Sequence, residues 1–350
     1  MGGTESAVHG PRARPHRTEG HGTPQQSGES GGPRCLAVMY HYVHDRETLP
    51  RPGLPTIPPE IPGLTSREFR VQIDQLCSVM EPIDWPTFYA WMCGRGSIPD
   101  RCFMLTFDDG LADHAETVLS ILQERHLRGV FFVPGAILTS RRLLPAHELH
   151  LLLALLDEHT LEQELLSYLA QHKGDKTDWM ASVDPAAAQA MYHYELPGRA
   201  RLKYLLTMTL PPDLRREIVD ALFEHHVGAS ARWAPHWYLS WDDLTKMELL
   251  GHTIGGHGYG HEPYSRMTPT QRREDVRRMA AVLRGGLGPD IRPFSYPYGQ
   301  CDEDSRAACQ EAGFAHAFTT ERRWVTRGSD VFRLPRVDTI DVGAVLEKEV

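Results

Sequence analysis

The chain has few cysteines and no long apolar run. These two shortages argue against a disulfide-rich protein and against a membrane-spanning protein. Its six cysteines lie at positions 35, 77, 93, 102, 301 and 309. None of these spacings is typical of a zinc finger or a disulfide framework, and free thiols fit a reducing compartment. The most leucine-rich stretch, residues 149–156, is far too short to cross a membrane and is followed by Asp157 and Glu158. The sequence therefore predicts neither a disulfide scaffold nor a transmembrane segment.

Basic charge is also in short supply. The 37 Lys and Arg residues are outnumbered by 46 Asp and Glu residues, which gives a net charge of −9 and argues against a nucleic-acid-binding surface. Residues 1–34 are rich in Gly, Pro, Ser, Arg and His and lack the apolar core of a signal peptide, so we predict a disordered tail. Residues 35–350 are long enough for one domain with additional segments inserted in it. With no signal peptide or membrane span, the predicted location is cytoplasmic.

Two adjacent carboxylates follow an apolar stretch of the chain. Residues 102–105 lead directly into the run Thr-Phe-Asp-Asp-Gly at 106–110, so a buried strand is predicted to deliver Asp108 and Asp109 to its C-terminal end. In parallel α/β folds that end of a strand is where the chemistry lies. Neighbouring carboxylates repel one another, and both stay ionised only if a cation holds one of them. The pair therefore predicts a metal site.

Two histidines could complete the ligand set. His257 and His261 lie four residues apart in a glycine-rich segment. The chain has 19 histidines, so this spacing alone carries little weight, but the Gly-Tyr-Gly spacer is a poor helix interior and favours a loop built around a site. Together with Asp109 they would supply the three protein ligands of a catalytic zinc, with one position left open.

A third segment, Pro-Phe-Ser-Tyr-Pro-Tyr-Gly at 293–299, allows two interpretations. It is either a strand followed by a turn, or a loop that aims a backbone N–H at the site.

The three segments, in this order, resemble the polysaccharide deacetylase family, also called the NodB-homology family or carbohydrate esterase family four. The resemblance runs from about residue 36 to about residue 338, apart from a large insertion. It implies an α/β fold, a distorted (β/α) barrel, with a divalent metal and hydrolysis of the N-acetyl group of a sugar. Zinc is the metal expected, with cobalt or nickel as alternatives.

The resemblance also implies a role for each matching residue. Asp108 matches the general base, and Tyr298 matches the residue whose backbone N–H helps to hold the oxyanion. The three expected metal ligands are Asp109, His257 and His261.

The chain departs from the family pattern at two places. Many members carry an arginine two residues before the proline of the third motif, where this chain has Ser295; Arg292 is nearby but out of register. Many members also have a late Leu-x-His motif that supplies the general acid, whereas no histidine follows Asp338.

A candidate for the missing acid lies on the predicted first strand. His41 is embedded in an apolar, β-prone run from Ala37 to Val43. The structural alternative is a core histidine satisfied by a backbone group. The segment, however, resembles the Tyr-His-x-Val strand of deacetylases that act on poly-N-acetylglucosamine and related exopolysaccharides. In those members the acid comes from an N-terminal strand and the third-motif arginine is often absent, so we predict that His41 is the general acid.

The remaining pattern predicts alternating strands and helices, as a parallel α/β architecture requires. Strands are predicted at 36–43, 102–107, 129–133, 315–319 and 331–334. Helices are predicted at 84–92, 113–126, 240–250, 268–287 and 302–312. A leucine-rich helical insertion is predicted at about 145–236, as a cover on the barrel or as a platform for substrate. Its histidines, at 147, 150, 225 and 226, are expected to be surface or core residues and not ligands.

Three hypotheses follow. The first is a metal-dependent hydrolase that removes N-acetyl groups from amino sugars of a glycan or glycoconjugate. The second is an amide hydrolase of the same superfamily that acts on a formamido sugar or a small metabolite. The third is a catalytically inactive relative that binds glycan. Neither the sugar nor an oligomeric state follows from the motifs.

Overall fold

A computed structural model describes residues 32–45, 61, 63–140, 142–173, 177–290 and 292–347. The tail predicted at 1–34 lies outside the described residues except for its last three positions. Among the described residues, no helix combines the length and the apolar character that a bilayer crossing requires.

The described strands form one curled sheet. They are β1 (Arg34–Tyr40), β2 (Glu81–Pro82), β3 (Arg101–Phe107), β4 (Gly129–Val133), β5 (Thr253–Gly256), β6 (Phe294–Ser295), β7 (Ala317–Phe318), β8 (Val325–Thr326) and β9 (Val337–Asp338). The order across the sheet is β7-β6-β5-β4-β3-β1-β8, with β2 beside β3 and β9 beside β1. All pairings between these strands are parallel except that of β8 with β1.

The chain after β8 links the two sides of this sheet. Leu334 forms a parallel bridge to Phe318 of β7, and β9 then pairs with Val38 and Met39 of β1. The predicted distorted (β/α) barrel is confirmed, and the structure shows that the curled sheet forms it incompletely. The prediction of a strand at 331–334 is wrong, because the chain turns there. The side chain of Asp330 accepts a hydrogen bond from the Phe332 N–H at 3.0 Å and stabilises this turn.

Helices pack around the sheet and connect its strands along the chain. They are α1 (Ser66–Val79), α2 (Trp85–Met92), α3 (Leu119–Glu124), α4 (Gly135–Thr139), α5 (Pro145–Leu155), α6 (Glu158–Lys173), α7 (Pro185–Met191), α8 (Pro197–Tyr204), α9 (Pro212–His226), α10 (Ser230–Trp237), α11 (Trp241–Leu249), α12 (Pro269–Leu287), α13 (Glu303–Glu311) and α14 (Val342–Leu346). A π-helix, His114–Val118, precedes α3, and another, Leu205–Thr209, follows α8.

Local sequence explains where these helices begin. Capping boxes open α1 at Thr65, α11 at Ser240 and α12 at Thr268. Between β4 and β5, helices α5, α7, α8 and α9 each begin with a proline, whose fixed φ and missing N–H suit the first turn of a helix. The prolines that interrupt the leucine-rich stretch therefore divide it into short helices.

The face of the sheet inside the curl is a small apolar core. Cys102 and Met104 of β3 point into it together with Phe132 and Phe318, and the side chains of α2 close it. The rings of Phe132 and Phe318 lie 5.6 Å apart, although their strands are not neighbours. Because side chains alternate along a strand, Thr106 continues this inner face, and Asp108 follows it at the open end of the curl.

Candidate active site

The predicted site residues meet at the C-terminal edge of the sheet. Tyr40 and Phe107 are partners at the ends of β1 and β3, so His41 and Asp108 emerge side by side. The backbone N–H of Asp108 donates to the carbonyl of Tyr40 at 2.9 Å. His257 follows β5 in the same way, and its N–H donates to the Val133 carbonyl of β4 at 2.9 Å.

Asp109, His257 and His261 come together around one point. The Asp109 Oδ1 atom lies 3.3 Å from His257 Nε2 and 3.1 Å from His261 Nε2, and the three potential ligand atoms all lie within 4.8 Å of one another. Asp109 and His257 are buried, at 4% and 2% exposure. Oδ1 has no hydrogen-bond partner in the described part of the chain.

The tautomer of His257 tests whether a cation fits this cluster. Its Nδ1 lies 2.8 Å from the carbonyl oxygen of Ser295. A carbonyl can only accept, so Nδ1 carries the proton and the Nε2 lone pair of a neutral ring faces the Asp109 carboxylate. Two electron-rich atoms at this distance are stable only with a positive charge between them. Metal-bound histidines commonly anchor their second nitrogen on a carbonyl in this manner, so the residues present fit a divalent cation.

The electrostatic field of the cluster agrees with this fit. Burial works to raise the pKa of Asp109, but the three surrounding histidines, at 147, 257 and 261, hold it well below its usual range. Burial works to lower the pKa of His257, yet the carboxylates of Asp108 and Asp109 raise it. The site is therefore negative enough to attract a proton or a metal ion.

Asp108 is clamped by an arginine that the sequence reasoning did not identify. Arg336 donates from Nη1 to Oδ1 and from Nη2 to Oδ2, both at 2.7 Å. Arg336 is 1% exposed and also donates to the Ser295 hydroxyl at 2.8 Å. Burial would raise the pKa of the Asp108 carboxyl, but Arg336 lowers it to about 2, so Asp108 is ionised at neutral pH.

An arginine from the segment before β9 therefore pairs with Asp108 and contacts Ser295, the residue at the position where many family members carry the third-motif arginine. Ser295 leaves room for that guanidinium and accepts a hydrogen bond from it. Arg292 faces elsewhere: its Nη2 donates to the carbonyl of Leu287 at 3.0 Å and its Nη1 to that of Ile254 at 3.2 Å.

The segment that carries His41 is braced by the π-helix. His114 Nε2 lies 2.9 Å from the backbone carbonyl of His41, and Asp113 Oδ2 accepts from the Val43 N–H at 2.7 Å. His114 is completely buried, so the core histidine satisfied by a backbone group is His114. His41 itself is only half-buried and lines the same cleft as Asp108.

Backbone strain is concentrated at this site. Among the described residues, the non-glycine residues with positive φ are Asp109, His126, His261 and Tyr298, and three of these four are predicted site residues. Such conformations are rare and tend to persist where the surroundings enforce them for function. Gly110 also has positive φ, at 62°, and a Cβ there would lie 2.6 Å from Ile137 Cδ1. The positive φ and the close side chains of Ile137 and Val133 therefore favour glycine after the two carboxylates.

The segment predicted as an insertion, the helices between β4 and β5, reaches the site, which its sequence did not predict. His147 of α5 is buried as expected and lies outside the ligand cluster, but its Nε2 is 3.1 Å from Asp109 Oδ2. His150 lines the cleft and its Nδ1 is 3.1 Å from the Tyr42 hydroxyl. With 19 histidines in the chain, nothing in the sequence distinguished these two.

These residues surround a cleft of about 370 Å³. The end of the sheet contributes His41, Asp108, Asp109, His257, His261 and Tyr298. The helical segment between β4 and β5 contributes His150, Tyr194 and Lys203, and Ile340, beyond β9, also lines the cleft. The described chain therefore combines a deep, strained, charged corner with a partly apolar cleft large enough for a small ligand.

The fold and the site together define a curled (β/α) barrel with a candidate metal centre at its strand ends. The polysaccharide deacetylase family model matches residues 95–180 and 205–317, more than half of the chain. The chain belongs to the polysaccharide deacetylase family. The three predicted ligands, Asp108 and Tyr298 all fall within the matched ranges, whereas His41 and Arg336 fall outside them.

Solved structures of low sequence identity share the fold. IcaB from Ammonifex degensii is 18% identical with a TM-score of 0.54, and the match covers 91% of this chain and 97% of that one. A de-N-acetylase from Aggregatibacter actinomycetemcomitans is 14% identical with a TM-score of 0.54, over 91% and 100% of the two chains. The BpsB deacetylase domain from Bordetella bronchiseptica is 15% identical with a TM-score of 0.51, over 87% and 95%. No curated protein matches the chain.

Proposed function

We propose that the protein is a metal-dependent hydrolase that removes N-acetyl groups from amino sugars of a glycan or glycoconjugate. The observation that carries the proposal is the Asp109, His257 and His261 cluster next to Asp108, a carboxylate kept ionised by Arg336. Family membership supports this reaction class. Two of the solved structures with the same fold are described as a de-N-acetylase and a deacetylase domain.

Asp109, His257 and His261 would hold the metal. Two imidazoles and a carboxylate suit zinc, with cobalt or nickel as alternatives. When bound, such a cation supplies Lewis acidity: it polarises an amide carbonyl and lowers the pKa of a water molecule.

The protein's own groups would move the protons. Asp108, ionised and fixed in the cleft wall, takes a proton from the attacking water as general base. His41, on the neighbouring strand end, donates a proton to the amine as it leaves. The backbone N–H of Tyr298 would stabilise the oxyanion of the tetrahedral intermediate.

Acetate release from defined substrates tests the proposed reaction. We expect the protein to release acetate from N-acetylglucosamine oligosaccharides, to lose this activity in a chelator, and to regain it when Zn²⁺, Co²⁺ or Ni²⁺ is added back. The physical reason is that a divalent cation held by the three ligands would polarise the amide carbonyl and lower the pKa of the attacking water. Acetate is quantified enzymatically and the metal by elemental analysis.

The same assay distinguishes the alternatives. Release of formate from formamido sugars, without acetate from the oligosaccharides, would favour the second hypothesis. Purified protein that holds no metal and releases neither acid from a panel of amidated sugars would be an inactive relative.

The proposed acid makes a separate prediction. His41→Ala is expected to keep its metal and to lose turnover by on the order of 10²–10⁴-fold, the usual contribution of a positioned proton donor. The brace from Asp113 and His114 acts on the backbone and should hold the segment in place without the imidazole. Turnover and metal content are measured on the same preparation.

His225→Ala is the matched control, because His225 is exposed on α9 and should change neither quantity. Near-normal turnover in His41→Ala would move the acid to another residue of the cleft.

A further inference from the structure

The helical insertion begins and ends at the loop that carries Asp109. Just before α5, the N–H of Leu144 donates to the Tyr238 hydroxyl oxygen at 2.9 Å. Just after α10, Tyr238 forms an antiparallel bridge with Leu111, and the N–H of Leu239 donates to the Gly110 carbonyl at 2.9 Å. Both ends of the insertion are therefore tied to the turn after β3.

His147 continues this connection into the site. Its Nδ1 lies 2.6 Å from the Tyr238 hydroxyl and its Nε2 lies 3.1 Å from Asp109 Oδ2. The His147 side chain is completely buried and Tyr238 is 6% exposed. The contact is thus formed in a region from which solvent is excluded.

One arrangement of protons with a neutral His147 satisfies the hydrogen bonds that run from Leu144 through Tyr238 and His147 to Asp109. An ionised carboxylate only accepts, so His147 Nε2 must carry a hydrogen and donate it to Asp109. A neutral imidazole then accepts at Nδ1, and the Tyr238 hydroxyl is free to donate there because its oxygen already accepts from the Leu144 N–H. In this arrangement the Leu144 N–H, the Tyr238 hydroxyl, both His147 ring nitrogens and Asp109 Oδ2 each have a hydrogen-bond partner.

The two oxygens of Asp109 are thereby divided between two tasks. Oδ2 faces His147, while Oδ1 faces the Nε2 atoms of His257 and His261. His147 does not belong to the group whose ligand atoms lie within 4.8 Å of one another. Its contact is with the carboxylate and not with the point where the three predicted ligands converge.

We propose that His147, oriented by Tyr238, is a positioning residue that fixes Asp109 so that Oδ1 alone is presented to the metal. The insertion is then part of the metal site and not only a cover over the barrel. Partners of this kind usually contribute on the order of 10–100-fold to metal affinity. The inference rests on the proposed function, because it needs the three ligands to hold a metal.

Metal affinity, measured without any substrate, tests the inference. Zn²⁺ is titrated against a chromophoric chelator for the unchanged protein and for His147→Phe, which fills a similar volume without a donor. We expect His147→Phe to bind Zn²⁺ about 10–100-fold more weakly. His147→Gln, whose side-chain amide can still donate to Asp109, should recover most of the affinity, and Tyr238→Phe should show a smaller loss than His147→Phe. His225→Ala is the control and should bind as the unchanged protein does.

A structural role alone would give a different result, so thermal unfolding of each metal-free variant is measured in parallel. Weaker binding that follows only the loss of stability, with no recovery in His147→Gln, would overturn the inference. If His147→Phe does not fold, the comparison of His147→Gln and Tyr238→Phe decides, and unchanged affinity in Tyr238→Phe together with a large loss in His147→Gln contradicts the proposal.

Two further outcomes separate this inference from the proposed function. Equal Zn²⁺ affinity in His147→Phe and the unchanged protein would overturn the role of His147 and leave the function intact, whereas an unchanged protein that binds no Zn²⁺, Co²⁺ or Ni²⁺ would overturn both.

The visible absorption of bound Co²⁺ reports its ligand set. A changed spectrum in His147→Gln would make His147 a ligand and not a positioning residue.

Discussion

Asp108→Asn is expected to abolish turnover while the protein keeps its metal. An amide cannot take a proton from water, and loss of a positioned base costs on the order of 10²–10⁴-fold in rate. Both oxygens of Asp108 are engaged by Arg336, and the nearer one lies 3.8 Å from His257 Nε2. Asp108 therefore stands beside the predicted ligands and not among them.

The measurement compares this variant with His261→Ala. We expect metal content near that of the unchanged protein in Asp108→Asn and a large loss of metal in His261→Ala, both determined by elemental analysis of protein shown to be folded by circular dichroism. Asp290→Asn changes an exposed acid and should alter neither metal nor rate. The reverse pattern, with metal lost in Asp108→Asn and kept in His261→Ala, would exchange the two roles.

Arg336→Met is expected to be the most destabilising of these substitutions. It removes the partner of a carboxylate that is 2% exposed, and an unpaired buried charge costs about 3–5 kcal/mol. The free energy of unfolding is measured by denaturant titration at neutral pH. In the double variant Asp108→Asn with Arg336→Met the charge is gone from both sides, so its loss should be well below the sum of the two single losses.

The ion pair between Asp108 and Arg336 also determines how stability and turnover depend on pH at the acid end. The folded pKa of Asp108, about 2, lies below the value of about 3.9 of an unfolded aspartate. The stability that the pair contributes is therefore complete above about pH 4 and is lost as the pH falls toward the folded value. Arg336→Met removes the strongest of the charges that oppose burial, so the pKa of Asp108 rises, and both stability and turnover should begin to fall at a higher pH than in the unchanged protein.

Arg336→Lys is the matched control for this prediction, because it keeps the charge without the two parallel hydrogen bonds. It should lie between the unchanged protein and Arg336→Met in stability. Additive losses in the double variant, or an acid limb that does not move in Arg336→Met, would show that Arg336 does not set the state of Asp108.

Several site residues could be predicted because their signals are local in the chain. The apolar run before Asp108 and Asp109 predicts a strand that ends at two acids, and the structure has that strand at β3. The glycine-rich spacing of His257 and His261 likewise follows a short strand, β5. Parallel strands bring their carboxyl ends to one edge, so these residues had to lie near one another once the sheet formed.

Other contacts had no local signal. Arg336 is 228 residues from Asp108 along the chain, and the residues around it, Leu-Pro-Arg-Val-Asp at 334–338, carry no motif that points to Asp108. His147 follows a proline in a leucine-rich helix, in a segment that the sequence predicts as a cover or a substrate platform and not as a source of contacts to a ligand. Each of them lies at the site only because a distant segment folds back to it.

The sequence alone determined the family, the parallel barrel and the identity of the acids and histidines at the strand ends, because strand patterns and motif spacings are properties of short stretches of chain. The tertiary structure alone decided which groups surround those residues: that Arg336 holds Asp108, that His114 braces the backbone of His41, and that His147 and Tyr238 reach Asp109 from the insertion. The physical reason is that burial and hydrogen-bond geometry depend on which distant segments the fold brings together. The spacing of residues within a short motif carries no information about those contacts.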